Sequence, residues 1–204
     1  MVLSRIRIGM SIGLLMLALF PAPTMSAMAE SDTNVGAETQ TKANAAKLDA
    51  LFSALDRAAD QSAADELTAQ IWDAWHVTGH AERDLMIAKI RTALRRQNLP
   101  RALGLAGVLV KSAPDYAEAW NKRATVNYMV GRLDESLADI ERTLALEPRH
   151  FGALSGRALV LTDKGDKAGA LAAIEEAMRI HPFLRGAKRI IERNGGTWRP
   201  RQPI

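Results

Sequence analysis

Apolar side chains recur along most of the chain at the spacing of amphipathic helices. From Leu48 onwards, Leu, Ile, Phe and Trp return every three or four residues, which places them on one face of an α-helix. Polar residues and glycines interrupt this pattern at regular distances, and we find no segment with the strict alternation of a half-buried strand. The pattern predicts an all-α protein built of four antiparallel helical hairpins and a terminal helix.

The interruptions between the predicted helices repeat with a fixed period. Pro114, Pro148 and Pro182 are each 34 residues apart, and so are Gly131 and Gly165. Proline cannot continue a helix, and glycine accepts the left-handed backbone conformation of a tight turn between helices. A two-helix unit of this length buries its apolar face only by stacking on its neighbours, so the period predicts a solenoid.

Residues 117–150 and 151–184 resemble two consecutive units of the tetratricopeptide repeat family. The resemblance rests on large apolar, small, glycine and proline residues at the family's positions: Trp120, Ala124, Gly131, Ser136, Ile140 and Pro148, then Leu154, Ala158, Gly165, Ala170, Ile174, Ala177 and Pro182. The sequence departs from the pattern at Arg123 and Arg157, where Leu is usual, and at Asn127, where Tyr is usual. The resemblance implies a short solenoid with capping elements at both ends.

The same frame divides the remainder of the repeat region. Residues 83–116 form a degenerate unit that has the closing proline but carries Asn98 near its turn instead of a matching glycine. The hairpin at 47–82 has the length of a unit but lacks both the turn glycine and the closing proline. It is therefore predicted to be a cap or a degenerate repeat. Residues 185–204 are predicted to contain a capping helix followed by a basic tail.

The first part of the chain has a different character. Two arginines precede an apolar run at 8–20, and Ala27 and Ala29 give the small-x-small pattern of a signal-peptidase site. The run has 13 residues, too few to span a bilayer comfortably. Residues 1–29 are therefore predicted to be a signal peptide cleaved after Ala29, with an uncleaved anchor as the alternative. The polar segment 30–46 is predicted to be a disordered tether.

Composition and charge narrow the classes of function. Cysteine is absent, which excludes disulfides, thiol catalysis and cysteine-based zinc sites. The net charge is −6 over residues 30–79 and +8 over residues 80–204. This asymmetry suits an anionic partner, but also a solubilising acidic arm and solvated basic faces. We expect no nucleic-acid partner, because no basic stripe is interleaved with aromatics, and no stable membrane insertion of the mature chain.

The sequence offers no constellation typical of catalysis or cofactor binding. His76 and His80 have the spacing that places two imidazoles on one helix face as metal ligands, but Gly79 lies between them and ends the predicted helix. Ser155 does not stand in a nucleophile-elbow motif, and there is no phosphate-binding loop. We therefore expect a non-catalytic protein without a metal ion or cofactor.

The family resemblance implies a concave groove, lined by the first helix of each unit, that holds a protein or peptide partner. The family's groove positions fall on Ile87, Arg91, Leu94, Glu118, Asn121, Thr125, Tyr128, Ser155, Leu159 and Thr162. Arg91 and Tyr128 are the main candidates, because Arg and aromatic side chains dominate interfaces, although Tyr128 also suits packing between repeats. Trp72 and Trp75 suit either a buried cap or an exposed docking pair.

Two further resemblances bear on the partner. Co-chaperone members of the family clamp a carboxylate with Lys and Asn at positions that here hold Ile87, Arg91, Lys122, Gly152 and Gly156, which argues against a chaperone-tail receptor. The overall layout resembles small exported repeat proteins of alphaproteobacteria. That resemblance implies a periplasmic scaffold or adaptor that supports cell-envelope integrity. The alternative is a periplasmic chaperone or assembly factor for exported or outer-membrane clients, and the oligomeric state stays open.

Overall fold

A computed structural model describes residues 43–76 and 80–199, which are helices and turns. The helices are α1 (43–56), α2 (Gln61–His76), α3 (Ala81–Arg95), α4 (Leu99–Ser112), α5 (Ala117–Met129), α6 (Leu133–Leu146), α7 (Phe151–Asp163), α8 (Lys167–Ile180) and α9 (Ala187–Arg193). α1 already includes 43–46, which the sequence pattern assigned to the tether. The predicted signal peptide, the rest of that tether and the last five residues of the basic tail lie outside the described residues.

The helices stack as antiparallel pairs in chain order, α3 on α4, α5 on α6 and α7 on α8, with α9 packed on the last pair. α8 illustrates why these segments are helical. Its buried residues Ala170, Ala173, Ile174 and Ala177 follow the spacing of one helix face. Asp166 caps its start, since the side chain accepts a hydrogen bond of 2.9 Å from the backbone N–H of Gly169. The predicted all-α repeat fold is confirmed.

The turn between the two helices of each repeat uses one residue in the left-handed backbone region. Gly131 and Gly165 have φ of 78° and 83°, as the sequence pattern predicts. In the degenerate repeat the equivalent position is Gln97, whose φ of 55° is the one positive value at a non-glycine residue in the described ranges. The turn geometry is therefore retained there without the glycine, at a cost in backbone strain.

We predict opposite effects of exchanging side chains between these equivalent turns. Gln97→Gly should raise the free energy of unfolding by about 1 kcal/mol, because glycine relieves the left-handed strain. Gly165→Ala should lower it by about 1–2 kcal/mol through backbone strain alone, since a Cβ there would meet no atom within 4 Å. Urea unfolding of the full chain measures both effects.

Gly104→Ala is the matched control for this pair. A Cβ at Gly104 also meets nothing within 4 Å, but the residue lies inside α4 and has no positive φ. Alanine should therefore be neutral or stabilising there. A loss of stability at Gly104 equal to that at Gly165 would contradict the strain explanation.

Ion pairs account for the two arginines that stand where the family usually has leucine. The Arg123 guanidinium binds both carboxylate oxygens of Asp139 on α6, at 2.9 and 2.6 Å, and this carboxylate is buried. The Arg157 guanidinium binds Glu176 on α8 at 2.6 Å. Each arginine thus joins the first helix of its repeat to the second by a charge-assisted contact at a position usually filled by apolar packing.

The degenerate repeat, which consists of α3 and α4, leaves two large apolar side chains exposed to solvent. Leu85 on α3 and Val108 on α4 are 55% and 54% exposed. In a solenoid, apolar side chains at the end of the stack are normally covered by a preceding repeat or cap.

Among the described residues, no helix has the length and apolar character needed to cross a membrane.

Candidate partner-binding site

The α1–α2 hairpin lies against the starts of helices in later repeats. The Tyr116 hydroxyl, just before α5, donates a 2.6 Å hydrogen bond to the carbonyl of Trp75. In the middle of α2, Thr68 Oγ1 lies 2.8 Å from Nε2 of His181, which belongs to the turn after α8. Arg185, in the same turn, pairs with Asp65. The hairpin thus contacts units that are not its neighbours in sequence.

An aromatic cluster forms the centre of this contact. The Trp75 indole stacks on the His150 ring with centroids 4.1 Å apart and an interplanar angle of 4°. Trp72 meets Phe151 edge-on at 5.6 Å, and Phe52 of α1 meets the same ring at 6.5 Å. Trp75 is only 6% exposed. Trp75 is therefore buried packing, and the partly buried Trp72 packs against the same cluster, so the two do not form an exposed docking pair.

A buried carboxylate lies beside the aromatic cluster. Glu118 is 1% exposed, and its Oε2 accepts a 3.0 Å hydrogen bond from Asn121 and lies 3.1 Å from Nζ of Lys122. Nε2 of His76 and Nε2 of His150 lie 3.6 and 3.5 Å from Oε1. Burial alone would raise the pKa of Glu118, but Lys122, then His150 and His76, outweigh burial and lower this pKa to about 2. The carboxylate is therefore ionised at neutral pH.

Two imidazoles of this contact are held in the neutral form. Burial lowers the pKa of His76 to about 4, assisted by Lys122 and Arg91 and opposed by Glu118 and Asp73. Burial likewise lowers the pKa of His181 to about 4. Both rings protonate more readily once α2 leaves the repeats, because water then solvates the charge.

We predict that acid weakens the attachment of the hairpin. The folded pKa of His76 lies below the ordinary value of 6.5, so its contribution to stability is present above pH 6.5 and is lost as the pH falls towards 4. His76→Phe keeps a flat ring on Trp72 without a titrating group. Between pH 7 and pH 5, the wild-type chain should lose about 1–2 kcal/mol more unfolding free energy than this variant.

Urea unfolding at both pH values measures this difference. Measurements at pH 7 and pH 8 provide the control, because His76 is neutral at both and the difference between wild type and variant should not change. An equal loss in the two proteins between pH 7 and pH 5 would rule out His76 as the source of acid sensitivity.

Part of the predicted groove stays open beyond α2. A cavity of about 200 Å³ lies between α5, α6 and α7. Five residues of the predicted groove line it: Asn121, Thr125, Tyr128, Ser155 and Leu159. Ala124, Ile140 and Val160 supply an apolar floor. The Tyr128 hydroxyl donates a 2.7 Å hydrogen bond to Asp163, which fixes its ring at the cavity wall.

The structure places the other predicted groove residues outside this cavity. Ile87 is 2% exposed in the core of the degenerate repeat, and Glu118 is covered by α2. Neither side chain is therefore accessible to solvent. Leu94 packs between α3 and α4. Thr162 accepts a 2.7 Å hydrogen bond from Asn194. Arg91 is exposed on α3. The ten residues therefore separate into one cavity-lining group and five dispersed positions.

The contact made by α2 involves His150 and Phe151, which the sequence did not single out, and Gly152, which it named only as a clamp position without the family's residue. A Cβ at Gly152 would lie 2.6 Å from the tip of the Trp72 ring, so only glycine gives the indole room. His150 and Phe151 precede this glycine directly. One signal was available, because three of the four histidines in the sequence belong to this contact. His76 ends α2 and His80 lies directly before α3, and the described ranges contain no group of ligands suited to a metal ion.

The stacked helical pairs define a helical-repeat protein. The tetratricopeptide repeat model matches residues 87–142 and 130–184. A TPR repeat-containing protein of Rhizobium etli is 35% identical over 167 residues, 82% of each chain. The chain therefore belongs to the tetratricopeptide repeat family, whose repeats are protein–protein interaction scaffolds.

Solved structures agree with this fold. The TPR2B domain of yeast Sti1, determined as a complex with pHsp70, has a TM-score of 0.53 at 16% identity and covers 55% of this chain and 94% of its own. The TPR domain of Arabidopsis OM64 also has a TM-score of 0.53 at 16% identity, covering 54% of this chain and 92% of its own. At these identities the similarity concerns the fold alone.

Proposed function

We propose that this chain is a non-catalytic periplasmic adaptor that binds a protein or peptide partner and thereby supports the cell envelope. The observation that carries the proposal is the cavity between α5 and α7, where five groove positions of the repeat converge on an apolar floor. Its shape and lining suit a large apolar side chain of a partner, held by a rim of hydroxyl and amide groups.

The rim of the cavity offers groups that hold a peptide backbone. Asn121 and Ser155 lie on facing helices of this cavity, and both carry hydrogen-bonding side chains. Gly156 on α7 lets a bound chain approach the helix backbone closely. Charge contributes little to the lining itself, so selectivity here depends on shape and on polar contacts at the rim.

The proposed location rests on the sequence of the N-terminal region. The short apolar run at 8–20 and the small residues Ala27 and Ala29 suit export followed by cleavage. The absence of cysteine is compatible with an oxidising compartment but does not select it. A role in the envelope follows from the proposed location and from the family's work as a protein scaffold.

The groove is tested by site-specific photocrosslinking in intact cells. A photocrosslinking amino acid in place of Thr125, at the cavity, should form a covalent adduct with the partner. The same amino acid in place of Val108, which is also exposed but lies on α4, is the control and should form none. Tyr128→Ala, which removes the cavity wall, should reduce the Thr125 adduct by about tenfold or more. Equal yields of adduct at both positions would show that the partner does not bind specifically in the groove.

The location is tested on the mature chain. Mass measurement of the protein recovered from a periplasmic fraction should show that it begins at Glu30. Ala29→Asp should block processing, because the peptidase requires a small side chain there, and should leave the full-length chain in the cell. A wild-type chain that retains residues 1–29 would contradict cleavage and favour an anchor.

A chaperone or assembly factor for exported clients is the second candidate. The apolar floor of the cavity favours this candidate, because unfolded chains expose large apolar side chains that such a floor can accept. The two candidates differ in the pattern of Thr125 adducts. An adaptor gives one main partner, whereas a chaperone gives many unrelated exported proteins.

A further inference from the structure

The α1–α2 hairpin covers one end of the groove in which the proposed partner binds. Glu118 and Asn121 occupy groove positions of the repeat, and Gly152 occupies one of the family's clamp positions, yet α2 lies over Glu118 and Gly152. The cavity that stays open includes Asn121 and Gly152 at its border with α2. The surface that the hairpin covers is therefore continuous with the open cavity.

The contact under α2 is imperfectly matched in its polar groups. Six buried side-chain atoms in the described part of the chain lack a hydrogen-bond partner, and each belongs to a residue of this contact: Trp75 Nε1, His76 Nδ1 and Nε2, Glu118 Oε1, His150 Nε2 and His181 Nδ1. A buried polar atom without a partner weakens the contact that buries it. The hairpin is therefore held less firmly than its apolar packing alone would give.

The rim of the contact adds little to the attachment. Arg149 pairs with Asp49 of α1 at 2.7 Å, and Arg185 pairs with Asp65 of α2, but the side chains of these pairs are mostly well exposed. Exposed ion pairs of this kind contribute little and are screened by salt. Release of the hairpin therefore breaks no strong electrostatic contact at its edge.

The surface under α2 has a defined chemistry. We call it the α2-binding surface and define it by Glu118, Lys122, His150, Phe151 and Gly152. The glycine leaves room for one aromatic ring, and the phenyl and imidazole rings pack against that ring. Beside them, Oε1 of the ionised carboxylate faces the imidazoles of His76 and His150, whose Nε2 atoms lie 3.6 and 3.5 Å away, too far for a good hydrogen bond. A cation at that place would gain the charge-assisted hydrogen bond that α2 lacks.

We propose that the α2-binding surface is a docking site for an amphipathic helix of a partner protein, and that α2 is its built-in competitor. The partner helix carries an aromatic side chain over Gly152 and an Arg or Lys side chain against Glu118. This inference rests on the proposed binding function and specifies the partner's chemistry. Binding displaces the hairpin and extends the open cavity into a groove that includes Glu118.

The test uses two labelled synthetic peptides as the partner helix. One spans residues 43–76 of this chain, and the other is the same peptide with His76→Arg. Fluorescence anisotropy measures their binding to the full chain and to the full chain carrying Trp72→Ala, which loosens its own hairpin. Both peptides should bind the Trp72→Ala chain at least about tenfold more tightly than wild type, because the competing segment is weakened. The His76→Arg peptide should bind about tenfold more tightly than the unmodified peptide.

Matched variants locate the peptide on the surface. Gly152→Ala places a methyl group against the aromatic ring and should abolish binding of both peptides, whereas Gly156→Ala, one turn along α7, meets Ile140 at an ordinary 3.5 Å and should not. Glu118→Gln should remove the preference for the His76→Arg peptide. If Trp72→Ala fails to fold by circular dichroism, Trp72→Leu replaces it, because leucine keeps part of the apolar packing but loses the ring contacts with His150 and Phe151.

Three results would overturn the proposal. They are equal peptide affinities for the wild-type and loosened chains, peptide binding that survives Gly152→Ala, and a loosened chain that exchanges hairpins with a second copy to form a dimer. Crosslinking from Thr125 does not depend on the hairpin. A partner captured there without any peptide binding would therefore leave the proposed function intact and reject only the displacement of α2.

Discussion

The ionised carboxylate of Glu118 constrains the way in which the two parts of this molecule meet. A negative charge with 1% exposure needs neighbours that compensate for the water it has lost. Lys122 and Asn121 of the same helix compensate one of the two carboxylate oxygens, Oε2. Two imidazoles from other elements approach Oε1 without completing it. The position of α2 over α5 therefore depends on the negative charge of Glu118, which belongs to α5 whether or not the hairpin is attached.

Aromatic packing favours attachment of the hairpin, whereas the buried charge and its polar neighbours oppose it. The stacked indole and imidazole, together with Phe151 and Phe52, bury a large apolar area that favours the closed arrangement. The buried polar atoms of the same contact reduce that gain. A contact in which favourable and unfavourable contributions lie side by side responds to small changes, such as protonation of one ring or the arrival of a better-matched helix. This property distinguishes the α2 contact from the apolar cores between the repeat helices.

The repeat fold followed from the sequence because its determinants are local. Turn glycines and helix-ending prolines with a fixed spacing specify antiparallel pairs whatever their distant surroundings. Gln97 shows the limit of that logic, since the fold imposes a left-handed turn there although the residue does not favour one. The cavity was partly predictable for the same reason, because groove positions follow from the repeat frame.

The place of the hairpin did not follow from the sequence. Its length fits the repeat frame, which favours a stacked cap, and only long-range contacts decide that it lies over later units. Glu118 at the start of a helix normally suits the helix dipole in solvent, so its burial has no local signature. Gly152 looked like an ordinary small residue of a repeat helix, and its role depends on an indole from a segment about eighty residues away.

The exposed face of the first repeat affects the order in which the molecule comes apart. In a stack where each pair leans on the next, a pair with one neighbour opens more often than a pair held on both sides. α3 and α4 present Leu85 and Val108 to water, whereas α7 and α8 lie between α6 and α9 and also receive α2. Among the repeat helices α3 to α8, the backbone amides of α3 and α4 therefore exchange with solvent earliest. Within this stack, a protease that samples such openings makes its first cut ahead of the groove and spares α5 to α8.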